Sequence, residues 1–280
     1  MLRVIEDTKL TNIADAIREK NRTEEQMTVD MMPDAIRSIQ GGGSGEKVTK
    51  KDVNFYDYDG KILYSYTAAE TAELTDMPAL PTREGLICQG WNMTLDYVKA
   101  YTADYGKCDI GATYITDDGK TRLYIEISEK ESMNVSIYFN QTVSNGVTID
   151  FGDGSALTTI AGTGNVNITH KYSSIGSYVV TLDPADGCSM SFGGSYSVMG
   201  ESDDSRIKLQ GVRIGRSITD IGASAFRYCI SMKTITIPNG ITYMGKRMFA
   251  KSGIIFIVFP RVENGQVLRS MEIRFHNLWH

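Results

Sequence analysis

Apolar residues recur at helical spacing near the start of the chain and at alternate positions over most of the rest. Two sets of three lie at i, i+3 or i+4, and i+7: Leu10, Ile13 and Ile17, then Met32, Ile36 and Ile39. This spacing predicts two short amphipathic helices over residues 1–40. Helices this short are marginal alone, so each apolar stripe must close on the other helix, on a second copy of the chain or on a partner surface. A plain helical hairpin and an attachment module both remain open.

Residues 41–51 begin with Gly41-Gly-Gly-Ser-Gly45 and continue as a polar run that can bury nothing. Such a stretch behaves as a flexible linker, so we expect a domain boundary there. In residues 52–119, alternating apolar positions around the turn signal Asp57-Tyr-Asp-Gly60 predict a β-hairpin. Helical patterns follow near residues 68–74 and 95–105, and a second hairpin is expected with Asp118-Gly119 as its turn. The segment reads as a small α+β domain.

Residues 120–186 alternate between apolar and polar side chains. The apolar positions include Leu123, Ile125, Ile127, Val135, Ile137, Phe139, Val147, Ile149 and Phe151. Strands separated by turn signals at intervals of about 8 to 12 residues are typical of a sandwich of two sheets.

Three pieces of this segment follow one another in a familiar order. They are Thr148-Ile-Asp-Phe-Gly-Asp-Gly-Ser155, His170-Lys-Tyr172 and Gly176-Ser-Tyr-Val-Val-Thr-Leu182. Together they resemble the PKD family of immunoglobulin-like domains, which implies an Ig-like β-sandwich. The family usually has Trp before the Asp-Phe-Gly triplet. Ile149 stands there in this chain, and either residue can fill a core position.

The last segment, residues 187–280, repeats itself. Ile218-Thr-Asp-Ile-Gly-Ala-Ser-Ala-Phe226 is echoed by Ile241-Thr-Tyr-Met-Gly-Lys-Arg-Met-Phe249, and Pro238 is echoed by Pro260 at nearly the same interval. The pattern resembles leucine-rich repeats of the BspA type, found on bacterial surface proteins and in phages of gut bacteria. Two copies are visible, and Ser252 replaces Cys229 in the second. Because about three repeats are needed for stability, we expect the module to pack against the sandwich or to be capped by residues 267–279.

Charge and composition exclude several classes of protein. The 280 residues include 29 basic and 34 acidic side chains, for a net charge of -5, which argues against nucleic acid or anionic lipid as a partner. No run approaches the roughly 20 apolar residues of a membrane span, and the N-terminus lacks the apolar core of a secretory signal. We therefore expect a soluble chain made in the cytoplasm, without membrane insertion.

The four cysteines, Cys88, Cys108, Cys188 and Cys229, are widely scattered and have no histidine at metal-ligand spacing. Four small buried hydrophobic side chains are the favoured interpretation, and a disulfide is the alternative. Glycine and tyrosine are abundant, at 27 and 15 residues, which suits short strands and tight turns. The overall expectation is a mainly β, multi-domain chain.

The search for chemistry identifies no catalytic, cofactor-binding or metal-binding residues. Of three histidines, His170 falls in the PKD-like pattern, where a structural role is favoured over general-base duty, while His276 and His280 are terminal. The acidic pairs fall in turn-like sequence, where Asp commonly bonds its own backbone. A calcium site at Asp150 and Asp153 stays open as a minor alternative, because two carboxylates fall short of the usual six to eight ligands.

Binding is better motivated than catalysis. Tyr97, Tyr101 and Tyr105 share one face of the second predicted helix, suited either to sugars and protein surfaces or to filling the domain core. In the repeats, equivalent turns are expected to gather a basic and aromatic ridge, with a solvated rim as the alternative. Its members are Arg227, Tyr228, Lys246, Arg247 and Lys251.

The N-terminal sequence supplies the functional expectation. Residues 8–21 and 27–36 resemble an opening found on tail and appendage proteins of phages that infect Gram-positive gut bacteria. The resemblance implies a virion structural protein of the tail-fibre or baseplate type, whose helices attach to other virion proteins and whose repeats bind a host surface protein or glycan. Such fibres are often homo-oligomers, which we expect here although no heptad seam is present. A capsid decoration or head-fibre protein and a polysaccharide depolymerase are the alternatives, and a bacterial surface adhesin is less favoured because neither signal nor wall anchor is present.

Overall fold

The computed structural model describes residues 48–130 and 132–261. The described helices and strands belong to one compact unit, which begins at Thr49. The predicted attachment residues and terminal features lie outside the described residues: Leu10, Ile13, Ile17, Met32, Ile36, Ile39, His276, His280 and the expected cap over 267–279.

The described part of the chain is mainly β. Its helices are α1 (Ala68–Ala72), α2 (Leu95–Tyr105) and α3 (Asp203–Ile207). Its strands are β1 (Val53–Tyr56), β2 (Ile62–Tyr66), β3 (Leu86–Trp91), β4 (Cys108–Thr116), β5 (Thr121–Ile127), β6 (Asn134–Gln141), β7 (Val147–Asp150), β8 (Thr158–Thr159), β9 (Gly164–Lys171), β10 (Gly176–Pro184), β11 (Met190–Phe192), β12 (Leu209–Arg213), β13 (Ile218–Ile221), β14 (Thr234–Thr236), β15 (Tyr243–Met244) and β16 (Phe256–Val258).

The first sheet has the order β2-β1-β4-β3 and carries helices α1 and α2. Strands β1 and β2 form the predicted hairpin, whose turn is closed by the Gly60 amide donating to the Asp57 carbonyl at 3.1 Å. Thr94 caps the start of α2, and Gly106 ends it with a left-handed backbone that glycine adopts at little cost. Trp91 is buried against Phe55, in a core that also contains aliphatic residues such as Val98 and Ile110.

The predicted hairpin over residues 114–124 is wrong. Strands β4 and β5 are consecutive, but β4 pairs with β1 and β3 while β5 pairs with β10 and β12. The turn at Asp118-Gly119 therefore carries the chain from one sheet to another. Turn chemistry predicts a reversal of the chain, whereas pairing is decided by which apolar face each strand must cover.

Two five-stranded sheets enclose the main core. Their orders are β12-β5-β10-β7-β8 and β15-β13-β11-β6-β9. Inward-facing residues of both sheets join one hydrophobic cluster, as the alternation of residues 120–186 predicts. The cluster includes Leu123, Ile125, Ile137, Phe139, Ile149 and Leu182.

The C-terminal module consists of stacked parallel strands at the predicted period. Asp220 pairs with Tyr243 between β13 and β15, and Ile235 pairs with Ile257 between β14 and β16. Each pair joins equivalent positions of the two repeats seen in the sequence. Phe226 and Phe249 stack with their ring centroids 5.7 Å apart. The repeat is thus a structural period as well as a sequence pattern.

The structure adds a third coil that the sequence pattern missed. Strand β11 pairs in parallel with β13, and the Gly222 amide donates to the carbonyl of Phe192. On its other side β11 pairs with β6 of the sandwich. The expected boundary between residues 186 and 187 therefore does not coincide with a break in the core, because sandwich and repeats share both sheets.

The four cysteines are free, and three of them are buried, at Cys108, Cys188 and Cys229. Burial raises the pKa of Cys108 and of Cys229 to about 11. These thiols therefore stay protonated at neutral pH and pack as small hydrophobic groups, as the sequence predicts. Cys88 differs from that prediction because it is only partly buried.

Candidate functional site

Equivalent turns of successive coils hold the predicted ridge residues. Tyr228 and Lys251 occupy the same position in their respective coils, and both have left-handed backbone, with φ of 62° and 56°. Ser224 and Arg247 form a second equivalent pair, with φ of 62° and 58°. Left-handed backbone is disfavoured for residues other than glycine, so side chains at these positions carry a local energetic cost.

Three cations converge on the ring of Tyr228. The guanidinium carbon of Arg227 lies 4.7 Å from the ring centroid, that of Arg206 5.6 Å, and the ammonium of Lys251 5.2 Å. Each distance is within the range of a cation–π contact. We call Arg206, Arg227, Tyr228 and Lys251 the Tyr228 cluster.

The hydroxyl of Tyr228 is also engaged. Lys251 Nζ and Arg227 Nη2 each donate to it at 3.3 Å. The hydrogen bond from Lys251, followed by that from Arg227, lowers the pKa of Tyr228 below its ordinary value of 10.0, because both cations stabilise the phenolate. The cluster is therefore a positively charged aromatic surface.

The structure brings together only part of the predicted ridge. Lys246 and Arg247 are exposed, and within the described residues they form neither a cation–π contact with Tyr228 nor an ion pair. They lie in the turn before Lys251, where the backbone of Lys246 accepts a hydrogen bond from Ser224.

Arg206 is the member of the cluster that sequence reasoning missed. It lies in helix α3, outside the repeating pattern, and is held by Nε donating to the Gly200 carbonyl at 3.0 Å and by an ion pair with Asp203 at 2.8 Å. A repeating pattern cannot identify a residue that the chain supplies from a neighbouring helix. No signal in the repeats could have found it.

The tyrosines of helix α2 lie at the surface. Tyr101 and Tyr105 are exposed, and Tyr101 lies between Tyr97 at 5.9 Å and Tyr105 at 4.5 Å, measured between ring centroids. Trp91, in contrast, is in the core. Tyr101 and Tyr105 therefore do not fill the domain core, and their use in binding sugars or protein surfaces stays a prediction.

His170 joins the two sheets of the sandwich. Its Nε2 lies 2.7 Å from Oδ2 of Asp153, in the loop after β7, and its ring stacks on Phe151 at 4.0 Å. Tyr172 adds a hydrogen bond from its hydroxyl to the Phe151 carbonyl at 3.0 Å. Among the described residues no serine, threonine or cysteine side chain is bonded to His170. The contact of His170 with Asp153 instead links the two sheets.

The two carboxylates of the possible calcium site are occupied by local contacts. Asp150 accepts from the Gly152 amide at 2.8 Å and Asp153 from the Ser155 amide at 3.0 Å. Within residues 48–130 and 132–261, no group of three or more acidic, histidine or cysteine side chains is arranged to hold a metal ion. In the same residues, no helix has the length and apolar character to cross a bilayer.

A further acidic residue is buried in the α+β unit. Asp57 is 2% exposed; it accepts hydrogen bonds from Arg83 Nε and from the hydroxyl of Tyr114, each at 2.6 Å. The sequence assigns Asp57 to turn duty, and its bond from the Tyr58 amide at 2.8 Å is of that kind. The ion pair with Arg83 is an additional role that neutralises the buried charge.

Comparison with known proteins bears on the repeats alone. A family model described as a BspA type leucine rich repeat region (6 copies) matches residues 156–267. The match covers most of the repeat module and extends back into the sandwich, consistent with the shared sheets. No curated protein and no solved structure matches the chain.

Proposed function

We propose that the chain is a non-enzymatic structural protein of a bacteriophage virion, of the tail-fibre or baseplate type. Its N-terminal residues attach to other virion proteins, and its C-terminal repeats bind a host surface protein or glycan. The protein then resides in the virion and works as a homo-oligomer. The sandwich between the two ends is a PKD-like, Ig-like spacer.

The Tyr228 cluster is the observation that carries the binding half of this proposal. Three cations around one partly exposed aromatic ring are costly to assemble, since like charges repel and two of the four members, Tyr228 and Lys251, have disfavoured backbone. Rigid aromatic area with cations beside it is the chemistry of many protein and glycan contacts. An acidic or hydroxyl-rich host surface fits it.

The attachment half rests on the sequences of residues 8–21 and 27–36, whose resemblance to phage tail proteins is described above. The proposal that the chain is not an enzyme is supported by the occupied carboxylates. Asp57 bonds to Arg83, Asp150 to the Gly152 amide and Asp153 to His170, so these three carboxylates are engaged within the fold and do not form a free pair of facing acids for glycoside hydrolysis.

Immunoelectron microscopy of intact virions, with an antibody raised against residues 206–261, tests the location. Label at the tail tip supports the proposal. Label over the head would replace it by a capsid decoration or head-fibre protein, and virions without label would overturn the virion assignment. Incubation with capsular polysaccharide, followed by an assay for reducing ends, tests for a depolymerase; release of reducing ends would contradict a non-enzymatic role.

Adhesion is tested with two double variants of equal charge. Arg227→Met with Lys251→Met removes two cations from the Tyr228 cluster, and we expect host-cell binding to fall about tenfold or more. Lys61→Met with Lys171→Met removes two exposed cations from the α+β unit and the sandwich and should bind as the parent does. Equal loss in both variants would show that only total charge matters and would contradict a specific site.

A further inference from the structure

A small cavity lies where the α+β unit, the sandwich and the repeats meet. Its volume is about 190 Å³. The polar and aromatic residues around it are Tyr58, Tyr114, Tyr124, Arg213, Thr234 and Thr236. Ligand pockets are commonly found at such junctions, and those for drug-sized molecules span roughly 300–1,000 Å³. This cavity is smaller than those pockets, and its volume suits a ligand with a single sugar-sized ring.

Arg213 is the charged residue of the cavity wall. Its guanidinium carbon lies 5.8 Å from the ring centroid of Tyr58 and 5.5 Å from that of Tyr124, so the charge sits between two aromatic rings. In the part of the chain that the structure describes, Arg213 forms neither an ion pair nor a hydrogen bond through its side chain. Its guanidinium N–H groups therefore have no hydrogen-bond acceptor among the described residues, and those that face the cavity can donate to a ligand.

The neighbouring acid does not neutralise Arg213. Asp57 reaches the cavity only through the hydroxyl of Tyr114, which donates to it at 2.6 Å, and its charge is already paired with Arg83. The wall thus keeps one unpaired positive charge. Strand β14 adds two hydroxyl groups: Thr234 is partly exposed, and the buried Thr236 Oγ1 has no hydrogen-bond partner among the described residues.

Each component selects one feature of a ligand. Tyrosine faces pack against the C–H faces of a sugar ring, threonine hydroxyls exchange hydrogen bonds with ring hydroxyls, and a planar guanidinium pairs with a carboxylate through two parallel bonds. We propose that this cavity binds a single carboxylate-bearing sugar residue of an acidic glycan, a uronic acid or a sialic acid. The site is separate from the Tyr228 cluster, and the proposal does not rest on the virion role.

Methyl NMR of the isoleucine-labelled full chain gives a direct test. Ile214 and Ile235 line the cavity, whereas Ile137 and Ile149 lie in the sandwich core and serve as internal controls. Titration with glucuronate or N-acetylneuraminate should shift the signals of Ile214 and Ile235 in a saturable manner. The sugar that binds with the higher affinity shows whether the cavity recognises a uronic acid or a sialic acid. Glucose at the same concentrations should give a much weaker effect.

Three results would overturn the proposal. Absence of saturable shifts with both acidic sugars would exclude the ligand class. Equal shifts with glucose would exclude recognition of the carboxylate, and equal shifts with acetate would exclude recognition of the sugar ring. Loss of host adhesion by the Tyr228 cluster variant leaves these titrations unaffected, so the two sites can fail independently.

Substitutions in the cavity wall test whether Arg213 binds the carboxylate of the sugar. Arg213→Met should weaken glucuronate binding about tenfold or more, because a bidentate charged contact is lost. Arg216→Met, which removes an exposed arginine close by in sequence, is the matched control and should bind as the parent. Thr234→Val keeps the shape of the side chain and tests the site without touching the Arg213 stack; we expect about threefold to tenfold weaker binding. Unchanged affinity in both Arg213→Met and Thr234→Val would contradict the site.

Discussion

At the scale of single residues, Asp153 and His170 form a contact that joins the two sheets of the sandwich. Asp153 follows β7 in one sheet and His170 lies on β9 in the other, so their 2.7 Å contact links the two sheets. Burial opposes ionisation of Asp153, but hydrogen bonds from Ser155 and His170 outweigh it and lower the pKa of the carboxyl to about 2. The ionised form therefore stabilises the fold.

A pH dependence follows from this lowered pKa. A carboxyl with a lower pKa in the folded chain than its ordinary 3.8 contributes stability above about pH 4, and that contribution is lost as the pH falls toward 2. Asp153→Asn should lower the free energy of unfolding by about 2 kcal/mol at pH 7, because it removes a charged hydrogen-bond acceptor. Urea unfolding of both proteins between pH 7 and pH 2.5 should show this difference narrowing below pH 4.

Asp150→Asn is the control, since exposed Asp150 accepts only the local bond from the Gly152 amide. Its effect on the free energy of unfolding at pH 7 should be smaller than that of Asp153→Asn. A difference between parent and Asp153→Asn that stays constant down to pH 2.5 would contradict a stabilising role for the ionised carboxylate.

At the scale of elements, the stacking of repeats depends on close approach of their backbones. The Gly245 amide donates to the Ile221 carbonyl at 2.7 Å, and a Cβ atom added at Gly245 would lie 2.2 Å from the Ala223 nitrogen. The same apolar-glycine step occurs in each coil, at Phe192-Gly193, Ile221-Gly222 and Met244-Gly245. Glycine is required here because neighbouring coils leave no room for a side chain.

Gly245→Ala should therefore destabilise the chain by about 3 kcal/mol, since the backbone of one coil must move away from the next. Gly240→Ala is the matched control, because a Cβ atom at Gly240 meets nothing within 4 Å. Chemical denaturation measures both. Equal stability of the two variants would show that the coils separate without cost and would contradict tight stacking.

The element scale also shows what the sequence can and cannot predict. The spacing of Phe226 and Phe249 predicts how the coils pair, because stacking requires a fixed period. The sequence pattern does not reveal the first coil. Met190 of that coil pairs with Ile218 of the next, and the interval between them is longer than the period of the later coils. The turn at Asp118-Gly119 predicts a reversal but not the sheet that β5 joins, since strand partners depend on distant residues.

At the scale of the whole molecule, sandwich and repeats act as one body. Strand β12 completes one sandwich sheet through pairs such as Val212 with Leu123, and β11 continues the other through Met190 with Gln141. Fully buried Leu209 and Phe192 fill the same core as Leu123. Neither part has a complete hydrophobic core without the other.

A fragment ending at residue 186 should therefore fail to fold, although it contains the whole PKD-like pattern. Removing β11 and β12 exposes apolar surface on both sheets, and we expect poor chemical-shift dispersion for residues 49–186 compared with residues 49–261. Heating the longer fragment should give a single calorimetric transition. A well-dispersed spectrum from the shorter fragment, or two separate transitions in the longer one, would show that the sandwich is independent.

The pairing of β12 with β5 also sets the order in which the chain can fold during synthesis. Strand β5 leaves the ribosome early, but its partner Leu209, which aligns with Ile125, comes much later. Contacts this far apart in sequence form slowly, and strand edges that wait for a partner are open to other chains. The edge of β5 that pairs with β12 therefore stays unpaired until residue 209 has been translated, and slower translation after residue 130 would lengthen the time for which that edge is open to other chains.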